Sequence, residues 1–235
     1  SSAASDVYKR QGKTTTVGMT TAICQQAGMS AVACGNIGYP IEEALLDPNH
    51  PDVLVCELSS FQLHWAPSVK PLAGALLNID EDHLDWHGSV EAYAADKARV
   101  LNGLYAIVGL DDPRAAAAGD ECSAQFVIGF RAGEPVRGQI GVHENGLFDN
   151  AFGPNDAARF LIECADIHPA GPAGVLDAGA AAALAMAAGA MPQDVNDALK
   201  DFVVAPHRNA VVTTIDGITY VDDSKATNPH AARSS

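Results

Sequence analysis

The chain has 235 residues, 48% of them hydrophobic and 18% charged, which is enough for one large folded domain and part of another. Its 14 basic and 29 acidic residues give a formal net charge of −15, which argues against a nucleic-acid-binding surface. The five cysteines form no CxxC pair and no apolar run reaches 18 residues. We therefore expect reduced thiols in a cytoplasmic protein without a signal peptide or a membrane span.

Apolar segments of helix and strand length alternate along the chain. We predict helices over residues 14–26, 41–46, 91–101, 175–188 and 195–202 and after Pro113, and strands over residues 30–34, 53–56, 73–77, 105–108, 125–128, 211–215 and 218–221. The alternation in the first half is typical of a mostly parallel sheet with flanking helices. Short alternating runs within residues 130–165 indicate a small antiparallel sheet packed on it. The predicted fold class is α/β with a phosphate-binding loop.

A change of pattern after residue 205 predicts a domain boundary. Two of the predicted strands flank Asp216-Gly217 there, and this dipeptide is a strong hairpin signal. We divide the chain into a first, larger domain over residues 12–205 and the start of a second α/β domain over residues 206–235. Residues 1–11 match no predicted element, and we expect them to be a non-native or misjoined leader.

Gly12-Lys13-Thr14 stands where the first predicted helix begins, and it matches the second half of a phosphate-binding loop. Free N–H groups and the helix dipole attract phosphate at such a point. The lysine adds a positive charge for the phosphates, and the threonine hydroxyl can bind Mg²⁺. The first glycine of the full pattern is missing, since Val7 stands in its place. A surface lysine at a helix start is the alternative interpretation.

Two predicted strands are followed by residues that can carry chemistry. Glu57 ends a buried strand, at the edge where open α/β sheets bind ligands, and beside a phosphate loop it would bind Mg²⁺. Four acidic residues and two histidines occupy residues 80–87, after the next strand. We expect His83 to be the inner histidine, because His87 lies nearer the turn at Gly88. The alternatives are a glutamate that faces solvent and a solvated acidic loop.

Three further positions have ordinary structural interpretations when each is taken alone. Lys97 would be a surface lysine whose stem lies along apolar neighbours. Asn36, between two glycines, would be a left-handed turn residue. The Asp-Ser-Lys run at residues 223–225 would be a turn with a helix cap.

Taken together and in this order, these segments resemble the Mur ligase family. The resemblance rests on residues 12–16, 35–38, 57–63, 78–85, 97, 206–208 and 223–228. The Glu-Leu-Ser-Ser-Phe-Gln run at residues 57–62 and the Ser-Lys-Ala-Thr-Asn run at residues 224–228 are similar to those of the members that add D-glutamate. The resemblance covers about residues 12–235.

The resemblance implies a cytoplasmic, monomeric ligase of peptidoglycan synthesis that uses ATP and Mg²⁺. ATP would phosphorylate the L-alanyl carboxylate of UDP-N-acetylmuramoyl-L-alanine, and the amine of D-glutamate would then displace phosphate from the acyl phosphate. Holding these anions together requires positive charge from Mg²⁺ and lysine. The implied partners are small molecules, with no nucleic acid and no membrane.

The resemblance also implies roles for residues that match the family's motifs. The catalytic residues would be Lys13, His83, Lys97 and Lys225. The nucleotide would be bound by Gly12, Lys13, Thr14, Thr15, Asp177, Arg208 and Asp223. The other substrates would be bound by Asn36, Ser59 and Thr227. Mg²⁺ would be bound by Thr14, Glu57, His83 and, if it is carbamylated, Lys97.

The sequence departs from the family's pattern at two places. Lys9-Arg10-Gln11 replaces the family's Gly-Thr-Asn before Gly12, so half of the phosphate cradle is missing. Asp177 stands where the family has the last asparagine of its adenine-side pattern. The family's N-terminal uridine-nucleotide domain and most of its C-terminal domain have no counterpart here, so we expect an internal fragment. The alternatives are a non-catalytic nucleotide-binding fragment and a related ligase such as folylpolyglutamate synthase.

Overall fold

The computed structural model of the chain describes residues 12–154, 157–205, 210–222 and 224. The helices are α1 Lys13–Gln26, α2 Ile41–Leu45, α3 Ser60–Trp65, α4 Leu84–His87, α5 Val90–Ala98, α6 Pro113–Glu121, α7 Pro172–Ala187 and α8 Pro192–Lys200. The strands are β1 Ala31–Gly35, β2 Val53–Glu57, β3 Ala73–Leu76, β4 Tyr105–Gly109, β5 Phe126–Phe130, β6 Gln139–His143, β7 Gly146–Asp149, β8 Arg159–Glu163, β9 Ala210–Ile215 and β10 Ile218–Asp222. Short 3-10 turns follow α5 and β8.

The main sheet has six strands in the order β3-β4-β5-β6-β7-β8. Strands β3 to β6 are parallel, whereas β7 and β8 are added as antiparallel neighbours. The expected antiparallel strands are thus confirmed, but they continue the parallel sheet instead of forming a separate one. The join is short, because β5 and β6 pair only at Gly129–Gln139 and Phe130–Ile140.

Strands β1 and β2 form a second, parallel pair, and Gly35 lies opposite Glu57 in their register. Parallel strands end at the same edge, so this pairing brings the residues that follow β1 close to the end of β2. The predicted hairpin is also present, as β9 and β10 are antiparallel. Asp216 and Gly217 both have positive φ, 52° and 78°, as a tight two-residue hairpin turn requires.

The core lies around the alanine-rich helix α7, which packs on α1 and on strands β3 to β6. Ala180, Ala181, Ala182 and Ala183 have no exposed surface, so the helix is buried on all sides at its middle. Met19 and Ile23 of α1 are likewise fully buried in this core. The helix that begins at the phosphate-loop motif is therefore anchored by its apolar side chains.

Sequence patterns did not predict α3 and α4, which have six and four residues. The predicted helix over residues 91–101 is confirmed, although its last turn is the 3-10 turn Arg99–Leu101. Within the described residues, no helix is both long and apolar enough to span a membrane. The expected leader lies outside the described residues, and so does the segment 206–209 beside the expected domain boundary.

Candidate active site

The start of α1 carries the backbone N–H groups and the lysine of the predicted phosphate-binding loop. Gly12 immediately precedes the helix, with φ at 119°, and its carbonyl accepts the first helical hydrogen bond, from Thr16 N at 2.7 Å. The N–H groups of Lys13, Thr14 and Thr15 lie in the first turn, ahead of that bond, so the helix itself cannot satisfy them. The Lys13 side chain is exposed. Backbone donors and a cation therefore lie at the same helix end.

Glu57 lies against this helix. Its side chain is only 5% exposed, so the alternative of a glutamate that faces solvent is wrong. Thr14 Oγ1 donates to Glu57 Oε2 at 2.6 Å, and Asn36 Nδ2 donates to Glu57 Oε1 at 3.2 Å. Three residues predicted for the site, from three separate segments, are thus joined through one carboxylate.

Gly35 explains how Asn36 reaches the carboxylate. The positive φ, 102°, falls on Gly35, so the left-handed turn expected for Asn36 is at its neighbour. A Cβ at Gly35 would lie 2.3 Å from the backbone oxygen of Glu57, which only glycine can avoid. This close approach lets Asn36 N donate to Glu57 O at 2.8 Å.

Asp177 projects from α7 to the first residue of the phosphate-loop motif. It is 8% exposed, and its Oδ1 would lie 2.2 Å from a Cβ at Gly12. Burial raises the pKa of Asp177 to about 8, and the neighbouring Thr16 hydroxyl opposes part of that rise. That hydroxyl is buried and has no hydrogen bond of ordinary geometry within the described residues. Burial therefore favours the protonated form of Asp177 at neutral pH, directly beside the predicted phosphate site.

The two histidines of the acidic segment are placed opposite to expectation. The His83 side chain is 48% exposed, whereas the His87 side chain has no exposed surface. His83 has a left-handed backbone, φ 51°, and precedes the single turn of α4, which folds His87 inward against Phe61. The choice of His83 as the inner histidine is therefore wrong, because the turn at Gly88 does not carry His87 to the surface.

Lys97 is half-buried on α5, and its Nζ donates to Asn78 O at 2.5 Å. Its ammonium also lies 5.3 Å from the centre of the Tyr93 ring. Asn78 follows β3, so this bond ties Lys97 to the segment that leads to His83. No group of three or more His, Cys, Asp or Glu side chains comes within metal-binding reach in the described part of the chain.

Ser59 caps α3 and stands two residues after Glu57. Its Oγ accepts from Gln62 N at 3.2 Å, and its own N donates to Gln62 Oε1 at 2.9 Å. This is a capping box, and the Ser-x-x-Gln spacing in the sequence could have predicted the helix. The remaining predicted site residues lie outside the described residues: Arg208, Asp223, Lys225 and Thr227.

Sequence reasoning missed a buried polar cluster next to the predicted site, formed by Ser60, His87 and Asp96. Asp96 Oδ2 lies 3.0 Å from His87 Nδ1, and His87 Nε2 lies 3.0 Å from Ser60 Oγ. A sign that could have drawn attention to it is that Ser60 and Asp96 each adjoin a predicted site residue in the sequence.

A helix start with free N–H groups, facing a carboxylate at the end of a parallel strand, is typical of α/β nucleotide-binding proteins. Residues 11–153 match the family described as the Mur ligase middle domain. This match covers more than half of the chain, which therefore belongs to the Mur ligase family. The resemblance inferred from the sequence motifs is confirmed.

The relatives of the chain lie in the same family. It is 56% identical over 224 residues to the UDP-N-acetylmuramoylalanine--D-glutamate ligase of Nocardia farcinica, covering 95% of this chain and 46% of that protein. Its fold is similar to a crystal structure of MurF from Acinetobacter baumannii, with TM-score 0.74, 22% identity and coverage of 95% of this chain and 51% of that one. It is also similar to MurF ligase from Thermotoga maritima in complex with ADP, with TM-score 0.66, 18% identity and coverage of 95% and 53%. The chain spans about half the length of the curated relatives it matches.

Proposed function

We propose that the chain is the ATP-binding part of a ligase that joins D-glutamate to UDP-N-acetylmuramoyl-L-alanine in peptidoglycan synthesis. The relative from Nocardia farcinica, 56% identical, is named for this reaction. The observation that carries the proposal is the 2.6 Å bond from Thr14 to Glu57, which joins the phosphate-loop helix to a strand-end carboxylate. On this proposal residues 12–205 are the central domain, residues 206–235 begin the next one, and the ligase works in the cytoplasm as a monomer.

The phosphates of ATP would lie at the start of α1. The N–H groups of the first turn and the exposed Lys13 side chain supply donors and positive charge there. Gly12 leaves space next to Asp177, whose burial keeps it protonated at neutral pH. A neutral carboxyl can lie beside a phosphate without repelling it, so Asp177 fits the nucleotide side of the site.

Thr14 and Glu57 would bind a first Mg²⁺. Both offer oxygen ligands, which Mg²⁺ prefers, and octahedral bonds of ~2.1 Å place adjacent ligands about 3.0 Å apart. The two oxygens are 2.6 Å apart, so a small movement separates them to that distance. The ion would supply positive charge to the transferred phosphoryl group. The segments after β3 would serve a second ion through His83 and a carbamylated Lys97.

The sugar-nucleotide substrate would bind along the ends of β1 and β2. Asn36 and Ser59 follow those strands and would contact the sugar nucleotide, with the Asn36 amide already oriented by Glu57. From the second domain, Arg208 and Asp223 would reach the nucleotide. Lys225 and Thr227 would contribute near ATP and D-glutamate.

Phosphate release by the complete ligase tests the proposal. The assay contains ATP, Mg²⁺ and the L-alanyl sugar nucleotide, with D-glutamate present or omitted and with L-lysine or diaminopimelate as control acceptors. Release that depends on D-glutamate alone supports the proposed reaction. Release with another amino acid would support a ligase but show that D-glutamate is not its acceptor. No release from a folded protein would show that the proposed activity is wrong.

A further inference from the structure

One buried imidazole connects three segments of the proposed active site. His87 ends α4, and its side chain has no exposed surface. Its Nδ1 lies 3.0 Å from Asp96 Oδ2 on α5, and its Nε2 lies 3.0 Å from Ser60 Oγ in the first turn of α3. Asp96 and Ser60 are themselves buried, at 5% and 8% exposed.

The chemistry of the partners fixes the direction of one of the two hydrogen bonds. A carboxylate can only accept, so His87 Nδ1 donates to Asp96. The second bond joins His87 Nε2 to the Ser60 hydroxyl, which can either donate or accept. A buried polar group that loses its partner destabilises the fold, so each of these bonds holds its neighbour in place.

Asp96 is also fixed from two other directions. His64 Nδ1 lies 2.9 Å from the same Oδ2, and Arg99 Nη2 lies 3.1 Å from Oδ1. Arg99 Nη1 further donates to the carbonyls of Leu63 and His64, at 3.0 and 2.6 Å, in the last turn of α3. The carboxylate is therefore part of a connection between α5 and both ends of α3.

Each part of this cluster adjoins a residue of the proposed site. Ser60 directly follows Ser59, Asp96 directly precedes Lys97, and α4 begins directly after His83. Aromatic rings enclose the imidazole, with Phe61 stacked at 5.5 Å between ring centres and Tyr93 edge-on at 5.2 Å. The cluster therefore lies behind the site, shielded from water.

We propose that His87 is a positioning residue for the ligation reaction. Its two hydrogen bonds hold the segments that carry Ser59, His83 and Lys97 in one arrangement. This inference rests on the proposed function. A Ser-His-Asp chain is also the nucleophilic arrangement of many hydrolases. Here the hydroxyl is buried in a helix turn and closed to a substrate, so the cluster fixes position instead of attacking a carbonyl.

Two replacements of His87 separate its two hydrogen bonds. His87→Asn keeps an amide N–H where Nδ1 donates to Asp96 but does not reach Ser60. His87→Gln keeps an amide where Nε2 meets Ser60 but gives up Asp96. Ser60→Ala removes the His87–Ser60 bond from its other end. His64→Phe is the matched control, because it gives up the bond to the same carboxylate oxygen and keeps an aromatic ring against Trp86 of α4.

Kinetics of the complete ligase give the first test. We expect His87→Asn and Ser60→Ala each to lower kcat ~10- to 100-fold, the effect of a small misplacement of catalytic groups. The KM for ATP should change less than ~3-fold, since the start of α1 is not part of the cluster. The double variant should lose no more than the worse single variant, because both cut the same bond. An unchanged kcat in folded single variants, or losses that multiply in the double variant, would overturn the proposal.

Amide hydrogen exchange tests the connection without any turnover, so it separates this proposal from the proposed function. We expect His87→Asn to speed exchange in α3, α4 and α5 together, and His64→Phe to leave α4 unchanged. Faster exchange confined to α4 would overturn the proposal even if the wild-type ligase is fully active. If His87→Asn does not fold, Ser60→Ala gives the same comparison by removing a single hydroxyl.

Discussion

Thr14 and Glu57 are 43 residues apart in the chain, and a 2.6 Å hydrogen bond joins them. The bond connects the first turn of α1 to the last residue of β2. Both side chains offer an oxygen ligand, and the proposed function assigns both oxygens to Mg²⁺. The carboxylate is thus already oriented toward the phosphate-loop helix by the protein's own hydroxyl.

Glu57→Gln tests the charge at this position while keeping an oxygen for Thr14. We expect phosphate release to fall ~100-fold or more, because a neutral amide is a poor Mg²⁺ ligand. The melting temperature should change little, because the lower desolvation cost of a neutral group is offset at Asn36, whose amide must turn its oxygen toward the new NH2 group. Parallel assays of turnover and thermal unfolding measure both effects. Glu42→Gln, at an exposed position on α2, is the control, and equal activity of the two variants would contradict the assignment.

Lys97→Arg tests whether this side chain carries a carbamate. The guanidinium keeps a donor for Asn78 O, so we expect a melting temperature near that of the wild type. Turnover should fall ~100-fold, because the variant cannot supply the carbamate ligand. Carbon NMR with labelled bicarbonate should show a carbamate signal in the wild type and not in the variant. Lys200→Arg at the exposed end of α8 should retain both signal and activity.

The buried Asp177 predicts a pH dependence of stability. Burial raises its pKa from 3.8 to about 8 in the folded protein, while the unfolded chain titrates near 3.8. Between these values the folded state binds more protons. The stability that Asp177 contributes is therefore fully present below pH ~4. It is lost as the pH rises toward ~8, at up to ~1.4 kcal/mol per pH unit.

Asp177→Asn removes this titration and keeps the shape of the neutral acid. The free energy of unfolding of the variant, minus that of the wild type, should increase between pH ~5 and ~8 and level off above. Urea denaturation at several pH values measures this difference. Asp201→Asn, at the exposed end of α8, should show no such trend. A gain that does not change with pH would show that Asp177 does not titrate in this range.

Gly12→Ala tests the close approach of Asp177 to the phosphate loop. The new Cβ would lie 2.2 Å from Asp177 Oδ1, at a φ of 119° that disfavours alanine. Gly28→Ala is the matched control, because its φ is also positive, 81°, but nothing lies within 4 Å of the new Cβ. We expect the first variant to be ~1–2 kcal/mol less stable than the second.

Calorimetric titration adds a second readout for Gly12→Ala. The variant should bind Mg²⁺-ATP ~10-fold more weakly, since the added methyl displaces the loop that faces the phosphates. Asp177→Ala in the same chain should recover part of the stability by removing the clash. Equal stability of the two glycine variants would contradict the contact.

Local chemistry explains how much of the fold the sequence could predict. The long helices α1 and α7 and the buried strands were predicted, because each is an apolar segment of helix or strand length with clear ends. The helices α3 and α4 have six and four residues, too few for a period to appear. The pairing of β6 with β5 is also invisible in sequence, because it depends on two residue pairs brought together by tertiary packing.

The candidate site, too, was predicted only in part from the sequence. The motifs predicted that Thr14 and Glu57 matter, and the structure shows the hydrogen bond that joins them. They did not predict which histidine is buried, because the left-handed backbone of His83 and the single helical turn after it place His87 on the inner side. Spacing along the sequence cannot show that His87 enters a cluster with residues 27 positions before it and nine after it.

The alanines of α7 have a consequence for how this protein tolerates substitution. Their methyl groups let α7 fit between α1 and the main sheet, so the smallest side chains after glycine set how far the phosphate-loop helix stands from the strands. A valine or leucine at those positions that face α1 would push α1 away and lengthen the Thr14–Glu57 hydrogen bond. The proposed nucleotide site can thus be altered by apolar substitutions at residues that touch none of its polar groups. Inherited variation at these alanines should accordingly be rarer than at exposed polar positions of the same domain.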